Sequence, residues 1–143
     1  MSDTTDALGA AVDAEHAAVY TYGVLTAFTT GDRRTAVATY IAEHRARRDE
    51  LNEALVAAGG QARSTAPGYV LPVQVTNSAT AARAALDAEQ DTAQAYRSLA
   101  ERADTAPVRR LAVDGLTECA LRGAFWRQAS GVRPATVALP GIK

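Results

Sequence analysis

Asp13-Ala14-Glu15 and Asp87-Ala88-Glu89 are near copies of one another, set 74 residues apart, and this echo decides how the chain is read. The same offset carries Tyr22 onto Tyr96, Leu25 onto Leu99, Ala46 onto Ala120 and Arg48 onto Arg122, and it pairs His44 with Glu118. A repeat that keeps a carboxylate, a tyrosine and an arginine at helical spacing points to two helical hairpins built around one polar core.

Four stretches rich in good helix formers surround these residues and read as helices at about 4–28, 33–58, 78–103 and 107–130. Thr29-Thr30-Gly31-Asp32 separates the first two. Gly59-Gly60 stops the second, as a left-handed residue does. Asn77 or Ser78 caps the third. Asp104-Thr105-Ala106-Pro107 ends it and opens the fourth, with Pro107 in the first turn. At 1.5 Å per residue each helix is about 36–39 Å long. Short loops make antiparallel pairs of helices 1 and 2 and of helices 3 and 4. The longer connection, 59–77, has the reach to cross the bundle end to end, and a tail, 131–143, follows the fourth helix. The expected fold is therefore all-α: a single-domain, four-helix antiparallel bundle of two hairpins joined by a long crossover. Beta-branched residues in Tyr69-Val70-Leu71 and Val73-Gln74-Val75 allow a short extended strand within that crossover.

The 143 residues are 48% hydrophobic with a formal net charge of −1, which suits an ordinary globular domain. Near-neutral charge argues against nucleic-acid binding, which needs a basic face to displace counterions. The single cysteine, Cys119, allows no internal disulfide and reads as a core filler. The polar, acidic start has no apolar run behind a basic segment, and no 18-residue apolar stretch exists to span a bilayer. A cytoplasmic location without membrane contact is the expectation.

Helical periodicity places polar residues in the middle of each inward stripe. Helix 1 reads Leu8, Val12, Glu15, Val19, Tyr22, Thr26, and helix 2 reads Val37, Ile41, His44, Arg48, Leu51, Leu55. Helix 3 gives Ala82, Leu86, Glu89, Ala93, Tyr96, Ala100, and helix 4 gives Leu111, Gly115, Glu118, Arg122, Phe125, Ala129. The expected polar core is thus Glu15, Tyr22, His44, Arg48, Glu89, Tyr96, Glu118 and Arg122. Unpaired buried charge is strongly unfavourable, so these groups must pair, bind an ion or shift their ionisation. Three acids against two arginines and one histidine balance only with His44 protonated or one acid holding a proton.

With those residues in place the chain resembles the ferritin-like superfamily, over the two hairpins and the crossover. Di-iron members of that superfamily take a glutamate from one helix of each hairpin and a Glu-x-x-His pair from the other. The resemblance matches Glu15 and Glu89 to the single glutamates and Tyr22 to the tyrosine two turns beyond the first of them. Helix 2 offers Ile41-x-x-His44 and helix 4 offers Gly115-x-x-Glu118, so two of six ligands are absent and one histidine position holds a glutamate. Arg48 and Arg122 also bring positive charge to the place where cations sit. The run Glu43-His44-Arg45-Ala46-Arg47-Arg48-Asp49 is similar to that of an uncharacterised actinobacterial family of small ferritin-like domains.

Three functional expectations follow. The first is a non-enzymatic structural or binding bundle without a cofactor, its metal centre replaced by arginine–carboxylate bonds, which arginine's planar donors suit. The second keeps Glu15, His44, Glu89 and Glu118 as ligands for iron or manganese in an oxidoreductase, a donor set that fits those metals better than structural zinc. The third is a binder of a small anion held by Arg48 and Arg122. Tyr20, Val24 and Phe28 form a second apolar line on helix 1, which points to a homodimer through that face unless the crossover and tail cover it.

Overall fold

The structure, a computed structural model, describes residues 2–142. Its helices are α1 (Asp3–Leu25, prolonged by a 3-10 turn at Thr26–Phe28), α2 (Gly31–Ala57), α3 (Ser78–Arg102) and α4 (Ala106–Ala129). Four of these boundaries carry a local signal of their own. The Ser2 hydroxyl accepts from the Thr5 amide at the start of α1. Asn77 and Thr80 form a reciprocal capping box at the start of α3. The Thr105 side chain accepts from the Val108 amide ahead of α4, with proline in the first turn. At the end of α2, Gly59 is left-handed at φ 95°, and the Gly60 and Gly59 amides return to the Leu55 and Val56 carbonyls at 2.9 and 3.0 Å. That is a Schellman ending, and it satisfies carbonyls the helix itself leaves free.

Two side-chain bonds define the topology. Thr4 Oγ1 donates to the Arg102 carbonyl at 2.7 Å, joining the start of α1 to the end of α3. Arg33 Nη2 donates to the Ala129 carbonyl at 2.9 Å, joining the start of α2 to the end of α4. Neighbouring helices are therefore antiparallel, and the crossover 58–77 carries the chain the length of the bundle between hairpins. Among the described residues none forms a β-strand, so the extended strand expected around Val70 and Val75 is absent. A strand there has no partner to take up its backbone groups. No helix among the described residues is long and apolar enough to cross a membrane.

The crossover is anchored early. Asn52 bonds both the amide and the carbonyl of Arg63, at 2.9 and 3.0 Å, and His16 Nε2 donates to the same carbonyl at 2.9 Å. The Arg63 guanidinium reaches Asp13 and lies over Gly9, where a Cβ would stand 2.4 Å from it. Further along, Tyr69 packs on Tyr20 with ring centroids 5.2 Å apart. The crossover thus covers part of the second apolar line on α1, leaving Tyr20 41% exposed and Val24 and Phe28 half-buried.

The core divides into two apolar clusters. One gathers Leu8, Val12, Leu51, Leu55 and Leu99, and the other Leu25, Val37, the alanines of early α3 and Trp126. Each fully buried large side chain contributes about 1.5–3 kcal/mol. These clusters supply the stability that offsets the desolvation of a polar layer on the same four helices.

Candidate functional site

Four charged side chains lie sealed inside the bundle: Glu15 and His44 at 0% exposure, Glu89 at 1% and Arg122 at 2%. They come one from each helix, each from a mid-length position on its inward stripe. His44 stands at the centre. Its Nδ1 faces Glu15 Oε1 in a short contact, and its Nε2 lies 2.8 Å from Glu89 Oε2. Carboxylates only accept, so both ring nitrogens donate and the ring is an imidazolium. Burial pulls the His44 pKa down, but Glu89 and Glu15 outweigh it and hold the value at about 9.

The tyrosines cross over between hairpins. Tyr22 of α1 donates to Glu89 Oε2 of α3 at 2.5 Å, while Tyr96 of α3 donates to Glu15 Oε2 of α1 at 2.6 Å. Burial first, and then the facing carboxylate, push both phenols well above their ordinary range, so they stay protonated donors. Trp126 Nε1 donates to the Tyr22 hydroxyl at 2.8 Å and completes that oxygen's partners. Gly115 of α4 makes room for the Tyr96 ring; a Cβ there would sit 2.3 Å from it.

Arg122 of α4 closes the set. Its Nε donates to both Glu89 oxygens, at 3.0 and 3.1 Å, its Nη1 to Glu43 at 3.1 Å, and its Nη2 to Cys119 Sγ at 3.6 Å. Burial alone pushes the Glu89 carboxyl up, yet His44, Arg122 and Tyr22 together bring it below its usual range. Two carboxylates therefore meet one imidazolium and one guanidinium, and the layer is formally neutral. Burial drives the Cys119 thiol well above its ordinary range, so it stays a thiol.

Six of the eight residues expected in the polar core are brought together: Glu15, Tyr22, His44, Glu89, Tyr96 and Arg122. Glu118 and Arg48 are not. Glu118 is 34% exposed and held by Arg47, whose Nε and Nη2 donate to its two oxygens at 2.8 and 2.5 Å. Those bonds lower the Glu118 pKa. Its closest approach to the layer is 4.0 Å, to Arg122 Nη1. Arg48 turns outward to Asp49 at 2.9 Å. Arg47 and Arg48 flank the His44 direction on either side of α2; Arg47 meets Glu118 of α4, while Arg48 is held at the surface by Asp49. Glu43 and Trp126 are partners of the layer that the inward stripes omit, and Arg47 is the omitted partner of Glu118. Trp126 lies one turn after Arg122 on the same face, a signal the sequence did contain.

Comparison with known proteins places this architecture. The crystal structure of a conserved hypothetical protein, rv2844, from Mycobacterium tuberculosis superposes with a TM-score of 0.86 at 38% identity, covering 89% of this chain and 96% of that one. A ferritin-like, diiron-carboxylate protein from Bacillus anthracis str. Ames superposes with a TM-score of 0.73 at 16% identity, covering 89% of this chain and 94% of that one, which establishes the ferritin-like fold. No curated protein matches the chain. Residues 7–143 match the domain of unknown function DUF4439, and the chain belongs to that family of ferritin-like domains.

Proposed function

We propose that the chain is a non-enzymatic structural or binding bundle in which a closed Glu/His/Tyr/Arg layer stands where di-iron relatives hold their metals. One observation carries this reading: the layer's polar atoms satisfy one another. Both ring nitrogens of His44 are committed to carboxylates, so the ring has no lone pair to offer a metal. Every oxygen of Glu15 and Glu89 already accepts a hydrogen bond. Arg122 fixes a positive charge beside Glu89, where it repels any dication on that carboxylate. These residues do not fit a di-iron centre. Such a layer sets the helix register and pairing, a role for which bidentate and charge-assisted bonds are suited.

The two other expectations ask more of this geometry. A quartet of Glu15, His44, Glu89 and Glu118 requires Glu118 to leave Arg47 and His44 to lose its proton. An anion grip by Arg48 and Arg122 requires Arg48 to swing in from Asp49 and Arg122 to release its carboxylates.

Metal content by mass spectrometry tests the proposal, on untagged protein incubated with ferrous and manganous salts, alongside Glu15→Gln. Sub-stoichiometric metal and an unchanged melting temperature are expected. Near-stoichiometric iron or manganese in the parent chain, lost in Glu15→Gln, overturns it.

A further inference from the structure

The segment after α4 folds back over the groove between α3 and α4 without filling it. It is tied down near its start, where Val132 N–H donates to the Arg127 carbonyl at 2.8 Å and Arg127 Nε donates to the Pro134 carbonyl at 2.9 Å. It is tied again near residue 140, where Arg97 Nη1 donates to the Pro140 carbonyl at 3.3 Å. There Gly141, at φ 84°, lies so close to α3 that a Cβ would stand 2.8 Å from the Ala93 carbonyl oxygen. Beneath this strap the facing helix positions are small: Ala93 on α3, and Ala120, Gly123 and Ala124 on α4. Small residues on both sides leave space, and the result is a cavity of about 550 Å³. That volume suits a small organic ligand.

The charge around the cavity narrows the choice. Its walls are largely apolar, with Leu86, Val137 and Ile142 among them, while Asp87 and Asp91 stand one turn apart on its α3 side. Neither aspartate makes a hydrogen bond or ion pair among the described residues. Arg83, one turn earlier, attracts Asp87 but forms no ion pair with it. Like charges one turn apart disfavour each other, and a cation beside them removes the conflict. Arg127, the cavity's basic residue, already holds the strap through its Nε.

We propose that the α3–α4 cavity under the 131–142 strap binds a small molecule with an apolar body and one cationic amine, the amine lying against Asp87 and Asp91. The proposal goes beyond the role of the buried layer, whose Glu89 forms part of the cavity's inner wall.

The test titrates the full chain with 4-phenylbutylamine, 4-phenylbutanol and 4-phenylbutyrate, following the amide resonances of Ala93, Ala120, Gly123 and Val137. The amine is expected to shift these resonances and to bind about tenfold more tightly than the alcohol, with the carboxylate weakest. Asp87→Asn combined with Asp91→Asn, both outside the core, should erase the preference for the amine while leaving the melting curve cooperative. Ala124→Leu, which fills the space, should abolish binding of all three. The idea fails if no probe moves these amides. It fails equally if the shifts fall elsewhere, or if the carboxylate binds as tightly as the amine.

Discussion

In the first hairpin, α2 delivers His44 to the centre of the bundle and turns Arg48 out to Asp49; in the second, α4 delivers Arg122 and leaves Glu118 beside Arg47. These are matched positions, since His44 answers to Glu118 and Arg48 to Arg122 at the repeat offset. The other two helices keep the symmetry. Glu15 and Glu89 are both buried, and Tyr22 and Tyr96 reach across to each other's carboxylate. The difference teaches that the buried charge decides which half of a repeated pattern survives. Two sealed carboxylates need two cations. His44 and Arg122 supply them, and a third acid or a second guanidinium would be uncompensated in the interior.

The comparison breaks most directly at the arginines. Arg122→Ala leaves Glu89 short of a partner inside the core and should cost about 3–5 kcal/mol, whereas Arg48→Ala removes a partly exposed pair worth about 1 kcal/mol or less. Urea unfolding of both variants measures it, and equal losses would mean that the two hairpins bury their arginines alike.

The tyrosines sharpen the comparison at the next scale. Tyr96→Phe deletes one hydrogen bond to a buried carboxylate, about 2 kcal/mol. Tyr22→Phe should cost more, about 3 kcal/mol, because it also strands the Trp126 indole N–H. If the two losses match, Trp126 adds nothing and the exchange between hairpins is energetically symmetric.

The pH dependence tests the comparison from another side, because the two hairpins should differ in sign. His44 is raised from its ordinary 6.5 to about 9, so its stabilisation is complete below 6.5 and is lost as pH rises through about 9. Glu89 and Glu118 of the second hairpin are lowered from 4.5, so theirs is complete above 4.5 and is lost as pH falls through the lowered values. Unfolding free energies measured from pH 6.5 to 9 should decline in the parent chain and stay flat in His44→Gln. A decline that persists in the variant would place the titrating group elsewhere. The acid-side loss from Glu118 should survive in both, because Arg47 is its main partner.

How far the site could be read from the chain varies by residue. Glu15, Glu89, Tyr22 and Tyr96 were legible because each lies on an apolar stripe, and a lone polar residue at that spacing has nowhere to face but inward. His44 and Arg122 followed by the same logic. Glu118 failed because its helix carries Arg122 one turn later on the same face, and periodicity does not say which of the two the interior admits. Arg48 failed because Asp49 holds its guanidinium at the surface, a pairing that helical periodicity does not reveal. The cavity was invisible in advance: Ala120, Gly123 and Ala124 read as ordinary small helix residues until the strap arching over them is known.

By itself, then, the sequence determined four helices, their ends, the two-hairpin order with a long crossover, and a polar layer at mid-length. These depend on local rules: capping side chains, left-handed glycine, and a hydrophobic period that any helix must obey. Only the tertiary structure decided which charged residues enter that layer, that the tyrosines pair across hairpins, and that the final segment roofs a cavity. Those outcomes turn on helix rotation and on the charge balance of a sealed interior, both set jointly by all four helices rather than by any one stretch of chain.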